Sequence, residues 1–284
     1  MSGNKELTEK NIFITGATDG IGRATAISLA DQGANLYILC RNEKKGDALI
    51  KVLRQISTKA EIRLFVADLG DSRQVGRAVH EFENLDIPLH VLINNAGILN
   101  TSRILLPNGV EQMFGVNHLG HFLLTQELMP SLKRANKARI VIVASGAYLM
   151  CKEINFDDLA WEKNFKTFKT YAHSKLANML FMHELARRTE DTNITVNALH
   201  PGEISSNLGA QNSALTRMAI KLSSPFFKSP TDGAKTSVYL ASSDDVEGVT
   251  GKYFMNSKVK EVKPWAKDPS AAERLWDVSS ELVS

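Results

Sequence analysis

The sequence predicts an α/β fold, a single-domain doubly wound parallel sheet with helices on both faces, and three observations carry that expectation. Short apolar runs alternate with stretches of helical period through most of the 284 residues. The runs are β-branched and aliphatic, as in strands buried on both faces. A glycine cluster also stands where the first run passes into the first helix, the turn at which such folds bind ligands. No linker divides the chain, so residues 1–284 are expected to form one domain.

The first strand is expected over Asn11–Thr15, "NIFIT", and the first helix over Gly20–Asp31. Further strands are expected at 35–39 (NLYIL), 61–67 (EIRLFVA), 89–95 (LHVLINN), 139–145 (RIVIVAS), 194–200 (ITVNALH) and 251–255 (GKYFM). Helical period covers Asp47 to Gln55, Ser72 to Phe82, Glu111 to Lys133, Tyr171 to Arg188 and Asp232 to Ala241. The least regular stretch, 202–230, mixes Ser and Asn with Leu215, Met218, Ile220, Leu222, Phe226 and Phe227, and is read as a substrate lid.

Composition narrows the function. A formal charge of +3, with Lys and Arg scattered among Asp and Glu, gives no basic stripe, so no nucleic-acid partner is expected. The only cysteines, Cys40 and Cys151, are far apart and read as buried free thiols, which fits a reducing, cytoplasmic location. The opening "MSGNKELTEK" is polar, and no stretch approaches the ~18 apolar residues of a membrane span, so no integral membrane anchor is expected. His118, His121, His173 and His200 show no metal-ligand spacing with Cys or acid, so no metal is expected either.

The glycine spacing is Gly16-x-x-x-Gly20-x-Gly22. A helix start offers unpaired N–H groups and the positive end of the dipole, and glycine lets a phosphate approach without meeting a Cβ. No Lys-Ser/Thr pair follows, which excludes a P-loop and leaves a dinucleotide turn or a plain tight turn. About 20 positions beyond such glycines an NAD-binding fold carries an acid, and here Arg41 stands in its place. A guanidinium there can pair with the 2′-phosphate of NADP(H); the alternative is an ordinary surface arginine. Nearby Lys44 and Lys45 can share that phosphate or be ordinary surface charges of a helix start. Asp68, ending the third strand, can accept from an adenine amino group or be an exposed strand-end acid. "INNAG", Ile93 to Gly97, is either a turn or a close backbone approach to the same crevice. Tyr171 and Lys175 stand four apart on one helix face, where an ammonium lowers a phenol's pKa; taken alone, such a pair is usually structural.

Together, Gly16-x-x-x-Gly20-x-Gly22, Asn94-Asn95-Ala96-Gly97, Asn117, Ser145, Tyr171-x-x-x-Lys175 and "HPGEI" from His200 resemble the short-chain dehydrogenase/reductase family, from about residue 9 to 256. "GVNHLGHFLLT" and "YAHSKLAN" are most similar to its retinol-dehydrogenase branch. The resemblance implies a Rossmann-type dinucleotide-binding catalytic domain. It implies Tyr171 as proton donor and acceptor, and Lys175 as the group that lowers its pKa and holds the nicotinamide ribose. Ser145 is implied on the substrate oxygen, and Asn117 as anchor of a proton-conducting water. Cofactor contacts are implied for Gly16, Thr18, Asp19, Gly20, Ile21, Gly22, Arg41, Asn42, Asp68, Leu69, Asn95, Ala96, Gly97, Tyr171, Lys175, Pro201, Gly202, Ile204 and Ser206. Ala144 replaces the first serine of a common pair, Glu203 follows Pro-Gly, and the polar N-terminus lacks the anchor of many retinol dehydrogenases.

Ser145 and Tyr171 stand 26 positions apart, and the interval holds Trp161, Phe165 and Phe168, which can wall a pocket or pack as core. The expected protein is an NADP(H)-dependent oxidoreductase interconverting a carbonyl and an alcohol on an apolar small molecule. An idle NADPH sensor and a carbon–carbon double-bond reductase are the rival readings, and a homo-oligomer stays open.

Overall fold

Residues 7–202 and 229–284 are described by the structure, a computed structural model. The chain runs β1 (Asn11–Thr15), α1 (Gly20–Asp31), β2 (Asn35–Cys40), α2 (Glu43–Ile56), β3 (Ile62–Val66), α3 (Ser72–Glu83) and β4 (Val91–Asn94). It continues through α4 (Gln112–Phe114), a π-helical turn (Gly115–Leu119), α5 (Gly120–Glu127), α6 (Met129–Arg134), β5 (Ala138–Val143), α7 (Thr167–Arg188) and β6 (Ile194–His200). After residue 229 come α8 (Pro230–Ser242), β7 (Lys252–Met255), β8 (Lys258–Lys260) and α9 (Pro269–Val283).

Helix starts are set by short polar side chains that take up N–H groups lacking an intrahelical acceptor. Asn42 accepts from Lys45 N at 3.0 Å, Asp71 from Arg73 N at 3.0 Å, Ser229 from Asp232 N at 3.1 Å and Asp268 from Ala271 N at 2.7 Å. In α8 and α9 the cap is followed at once by Pro230 and Pro269, whose missing N–H costs nothing in the first turn.

The strands form one sheet in the order β3-β2-β1-β4-β5-β6-β7-β8, parallel from β3 to β7. Strand period sends Ile12 and Ile14 to one face and Phe13 to the other, and all three are fully buried. The Ile12 side packs with Leu29 of α1, Leu53 of α2 and Leu240 of α8. The Phe13 side packs with Phe82 of α3, Phe122 of α5, Leu180 of α7 and Leu275 of α9. Two covered faces make the continuous apolar strands stable, and the reversal of order between β1 and β4 opens a crevice beyond their carboxyl ends.

Three features depart from the expectation. β8 pairs antiparallel with β7, across Asn256 and Ser257 at φ 53° and 57°. Such a left-handed two-residue turn matches strand twist, but "KVK" is short and exposed and carries no apolar signal. The expected helix over Glu111–Lys133 is broken into α4, the π turn, α5 and α6, with Glu111 as cap and Pro130 in the first turn of α6. Finally, α9 lies beyond the stretch that resembled a known pattern. Its Trp276 meets Phe122 edge-on at 5.0 Å and stacks under the Arg188 guanidinium at 4.2 Å. Its buried Ser279 Oγ lies 2.9 Å from His118 Nε2. The expected boundaries elsewhere shift by a few residues, most at the starts of α2, Glu43 rather than Asp47 because Asn42 caps it, and of α7, Thr167 rather than Tyr171.

Candidate active site

β1 ends at Thr15 and the chain turns sharply through Gly16, at φ +66°, and Gly20, at φ +52°. A Cβ on Gly16 would stand 2.7 Å from Ala96 Cα, and one on Gly22 would stand 2.4 Å from Gly16 O and Asn95 Nδ2. No side chain fits at either place, so the glycines serve the close packing of the β1 turn against the β4 turn. Asn95 locks the two together, donating from Nδ2 to Thr15 O at 2.7 Å and to Gly16 O at 3.2 Å.

The result is a cleft of about 420 Å³ at the point where the sheet order reverses. Gly16, Thr18, Asp19, Gly20, Ile21 and Gly22 line one end, Arg41, Asn42, Asp68 and Leu69 the other, and Asn95, Ala96 and Gly97 the floor. Leu39, Cys40, Lys45, Ala67, Ile98 and Val116 also line it. A helix start at the glycine turn and small residues along the floor are the features a dinucleotide's diphosphate and ribose require. The residues present therefore fit a nicotinamide dinucleotide. Of the two lysines considered for the phosphate, Lys45 lines the cleft. The Cys40 thiol is buried, donates to Asn42 O at 3.3 Å and has its pKa raised by burial.

Arg41 follows β2 directly, with its side chain 62% exposed, and its Nη1 stands 3.5 Å from Asp68 Oδ2. Asp68 is itself held, accepting from Gly70 N through Oδ1 at 2.8 Å. A long, exposed ion pair of this kind contributes little, so the guanidinium is readily given up to another anion.

Beyond Gly97, β5 and α7 bring the predicted catalytic residues together. Ser145 follows β5 and accepts from Ala147 N at 3.1 Å as the cap of a tight 3₁₀ turn. Its side chain stands near enough to the Tyr171 hydroxyl to favour the phenolate. Lys175 Nζ donates to Val143 O at 3.0 Å and lies 5.6 Å from the Tyr171 ring centroid. A Cβ on Gly97 would be 3.6 Å from both Lys175 Nζ and Asn117 Oδ1, so the floor of the cleft runs straight to this cluster. Asn117, in the π turn, accepts from Ile98 N at 2.8 Å and donates to Ile98 O and to Ser174 Oγ, each at 3.0 Å.

The electrostatics correct one expectation. Lys175 is expected to lower the Tyr171 pKa, but in the ligand-free protein burial dominates and pushes it up to about 12, with the nearby Ser145 side chain opposing. The ammonium sits over the ring, bonded to Val143 O, and burial brings its own pKa down to about 8. With the folded value below the ordinary one of about 10.4, the unfolded chain binds this proton more tightly. The resulting penalty is full below pH 8 and fades as pH rises to about 10. Lys175→Met is thus expected to gain stability over wild type at neutral pH, and that difference should shrink by up to ~3 kcal/mol by pH ~10. Urea unfolding at the two pH values checks this; a pH-independent difference would contradict it.

Other expectations divide. Pro201 and Gly202 lie just past β6, Gly202 at φ +94°. Ile204, Ser206 and nearly all of the 202–230 lid lie outside the described residues. Trp161 is core, buried against His173 at 5.4 Å. Phe165 packs on the cluster of Leu99, Met113 and Tyr171, as do Ile98 and Ala147. Phe168, 63% exposed, is neither wall nor core. Thr15 and His121, both buried, were not expected at the site. Position could have signalled them: Thr15 ends β1 directly before Gly16, and His121 stands one helical turn after Asn117.

The family model for short chain dehydrogenase matches residues 10–216. Retinol dehydrogenase 12 of Mus musculus is 41% identical over 280 residues, covering 99% of this chain and 88% of that protein. Retinol dehydrogenase 14 of Homo sapiens is 44% identical, covering 96% and 86%. The crystal structure of an uncharacterized protein from Mycobacterium paratuberculosis superposes with a TM-score of 0.75 at 30% identity, covering 98% of this chain and 95% of its own. No helix among the described residues is long and apolar enough to cross a membrane. The chain belongs to the short-chain dehydrogenase/reductase family, in its retinol-dehydrogenase-like branch, and is an oxidoreductase that works with a nicotinamide cofactor.

Proposed function

We propose that this oxidoreductase prefers NADP(H) and interconverts a carbonyl and an alcohol on an apolar small molecule, a retinoid, steroid or lipid aldehyde, with Tyr171 as general acid and base. The observation that carries the reading is the buried pair Tyr171 and Lys175 beside the half-buried Ser145, with Leu99, Met113 and Phe165 packed against Tyr171. The chemistry supplied by a bound nicotinamide is hydride transfer to or from the carbon of the substrate. What remains for the protein is one proton on one oxygen. Ser145 and Tyr171 are close enough to share that oxygen, Ser145 orienting it and Tyr171 exchanging the proton. At neutral pH the phenol is protonated, the state that reduction of a carbonyl uses. Lys175 stabilises the phenolate left behind by its charge over the ring.

The partly buried Ile98, Ala147 and Phe165 around Tyr171 favour a hydrocarbon substrate, each buried methylene contributing about 0.8 kcal/mol. The names of the retinol dehydrogenases agree with such a substrate. The test is consumption of NADPH and NADH against aldehydes, ketones and quinones of graded length, with products identified by mass spectrometry. Alcohol products, with efficiency rising with chain length or ring count, support the reading. A preference for small hydrophilic sugars, or saturation of a carbon–carbon double bond, overturns it.

A further inference from the structure

His121 is fully enclosed, in the first turn of α5, and is not one of the residues assigned to the reaction above. Both of its ring nitrogens are nevertheless used. Nδ1 stands 3.1 Å from the carbonyl oxygen of Asn117, and Nε2 stands 2.8 Å from Thr15 Oγ1. A carbonyl only accepts, so Nδ1 carries the proton. Burial brings the ring's pKa down to about 4, so it is neutral and Nε2 is a bare acceptor. Thr15 must then donate its hydroxyl proton to Nε2; its other acceptor, Ile93 O, is farther away at 3.5 Å. The Thr15 oxygen in turn accepts from Asn95 N and Ala96 N, each at 2.9 Å. Every donor and acceptor in this chain of bonds has one consistent role.

The two ends of the chain are the two halves of the site. At one end are Asn95 and Ala96, the floor of the dinucleotide cleft. At the other is the peptide of Asn117, whose side chain clamps Ile98 on both its N–H and its carbonyl and reaches Ser174, next to Lys175. Ser174 donates to Tyr171 O at 2.7 Å, closing the path onto the turn of α7 that carries Tyr171 and Lys175. Asn117 lies in a π turn, where the backbone ladder departs from the ordinary helical one.

We propose that His121 is a positioning residue: its ring, fixed as the Nδ1–H tautomer, bridges Thr15 and the Asn117 carbonyl and so sets the dinucleotide cleft in register with Tyr171 and Lys175. The inference rests on the reading of Tyr171 as the reacting acid. Small misplacements of reacting groups cost rate far more than they cost binding.

Three substitutions separate positioning from mere packing. His121→Leu removes both bonds, His121→Asn keeps an amide N–H at the Nδ1 position, and His121→Gln reaches only toward Thr15. His121→Leu should lower kcat by roughly tenfold or more while KM for the carbonyl moves by less than about threefold. His121→Asn and His121→Gln each keep one end of the bridge only, so both should stay well below wild-type kcat, at melting temperatures similar to wild type. Wild-type kcat in His121→Leu, or recovery of wild-type kcat in either single-ended variant, overturns the proposal. If the Leu variant does not fold, the Asn and Gln pair decides alone. Full turnover in Tyr171→Phe would instead sink the assignment of the reacting acid, leaving the three His121 variants to be compared on turnover alone.

Discussion

Tyr171→Phe is expected to lower turnover by 10²-fold or more while dinucleotide affinity stays within about threefold, the scale of losing a general acid. The substitution keeps the ring that packs with Leu99 and Met113 and removes only the hydroxyl that meets Ser145. Stability should therefore change little. The pH dependence supplies a second reading. In the wild type, alcohol oxidation needs the phenolate, so its rate should climb with pH toward a value that the bound dinucleotide holds below the level of about 12 set by burial. Carbonyl reduction, which uses the phenol, should fall as pH passes the same value. Single-turnover rates in both directions between pH ~6 and ~10 check the pattern. Near-full activity in the Phe variant would remove Tyr171 from the reaction.

Arg41→Asp is expected to cut the preference for NADPH over NADH by at least ~10-fold, and to invert it if the new carboxylate accepts from the free ribose hydroxyls. The guanidinium can form two charge-assisted bonds to the 2′-phosphate, each worth about 1.5–3 kcal/mol before desolvation. Among the described residues its ion-pair partner is Asp68, at 3.5 Å. The substitution also sets two carboxylates, at 41 and 68, on the same rim of the cleft. Lys45 lines that rim as well and would blunt the effect, so Arg41→Asp with Lys45→Ala should shift the preference further. Dissociation constants for both dinucleotides, in wild type and variants, decide it. Equal wild-type affinities would show that Arg41 does not read the phosphate.

How much of this was legible beforehand depends on how local the cause is. Strands buried on both faces leave continuous apolar runs, so β1 could be read from Asn11 to Thr15 and β6 from Ile194 to His200 without error in their bounds. Gly16, Gly20 and Gly22 were readable because a turn at φ +66° and +52° and a Cβ-free packing point admit almost nothing else. The family pattern then carried Ser145, Tyr171 and Lys175 to one place, and the fold does bring them together.

What stayed hidden was set by contacts between distant segments. The edge strand β8 has no apolar signal and exists only because β7 offers it a ladder. Helix α9 is held by Trp276 and Ser279 meeting α5 and the π turn, partners more than a hundred residues away. The Tyr171 and Lys175 spacing announces a charge beside a phenol, but which effect wins depends on how deeply both are buried and on Val143 O taking the ammonium. Likewise, nothing in "NHLGH" says that the second histidine joins Thr15 to Asn117. The sequence by itself determined the layered α/β sheet, the glycine turn and the identity of the candidate reacting groups, because each rests on short-range sterics or on period. The tertiary structure alone decided their protonation, the bridging role of His121 and the docking of the last helix, because desolvation and hydrogen-bond partnership are properties of what surrounds a residue in space.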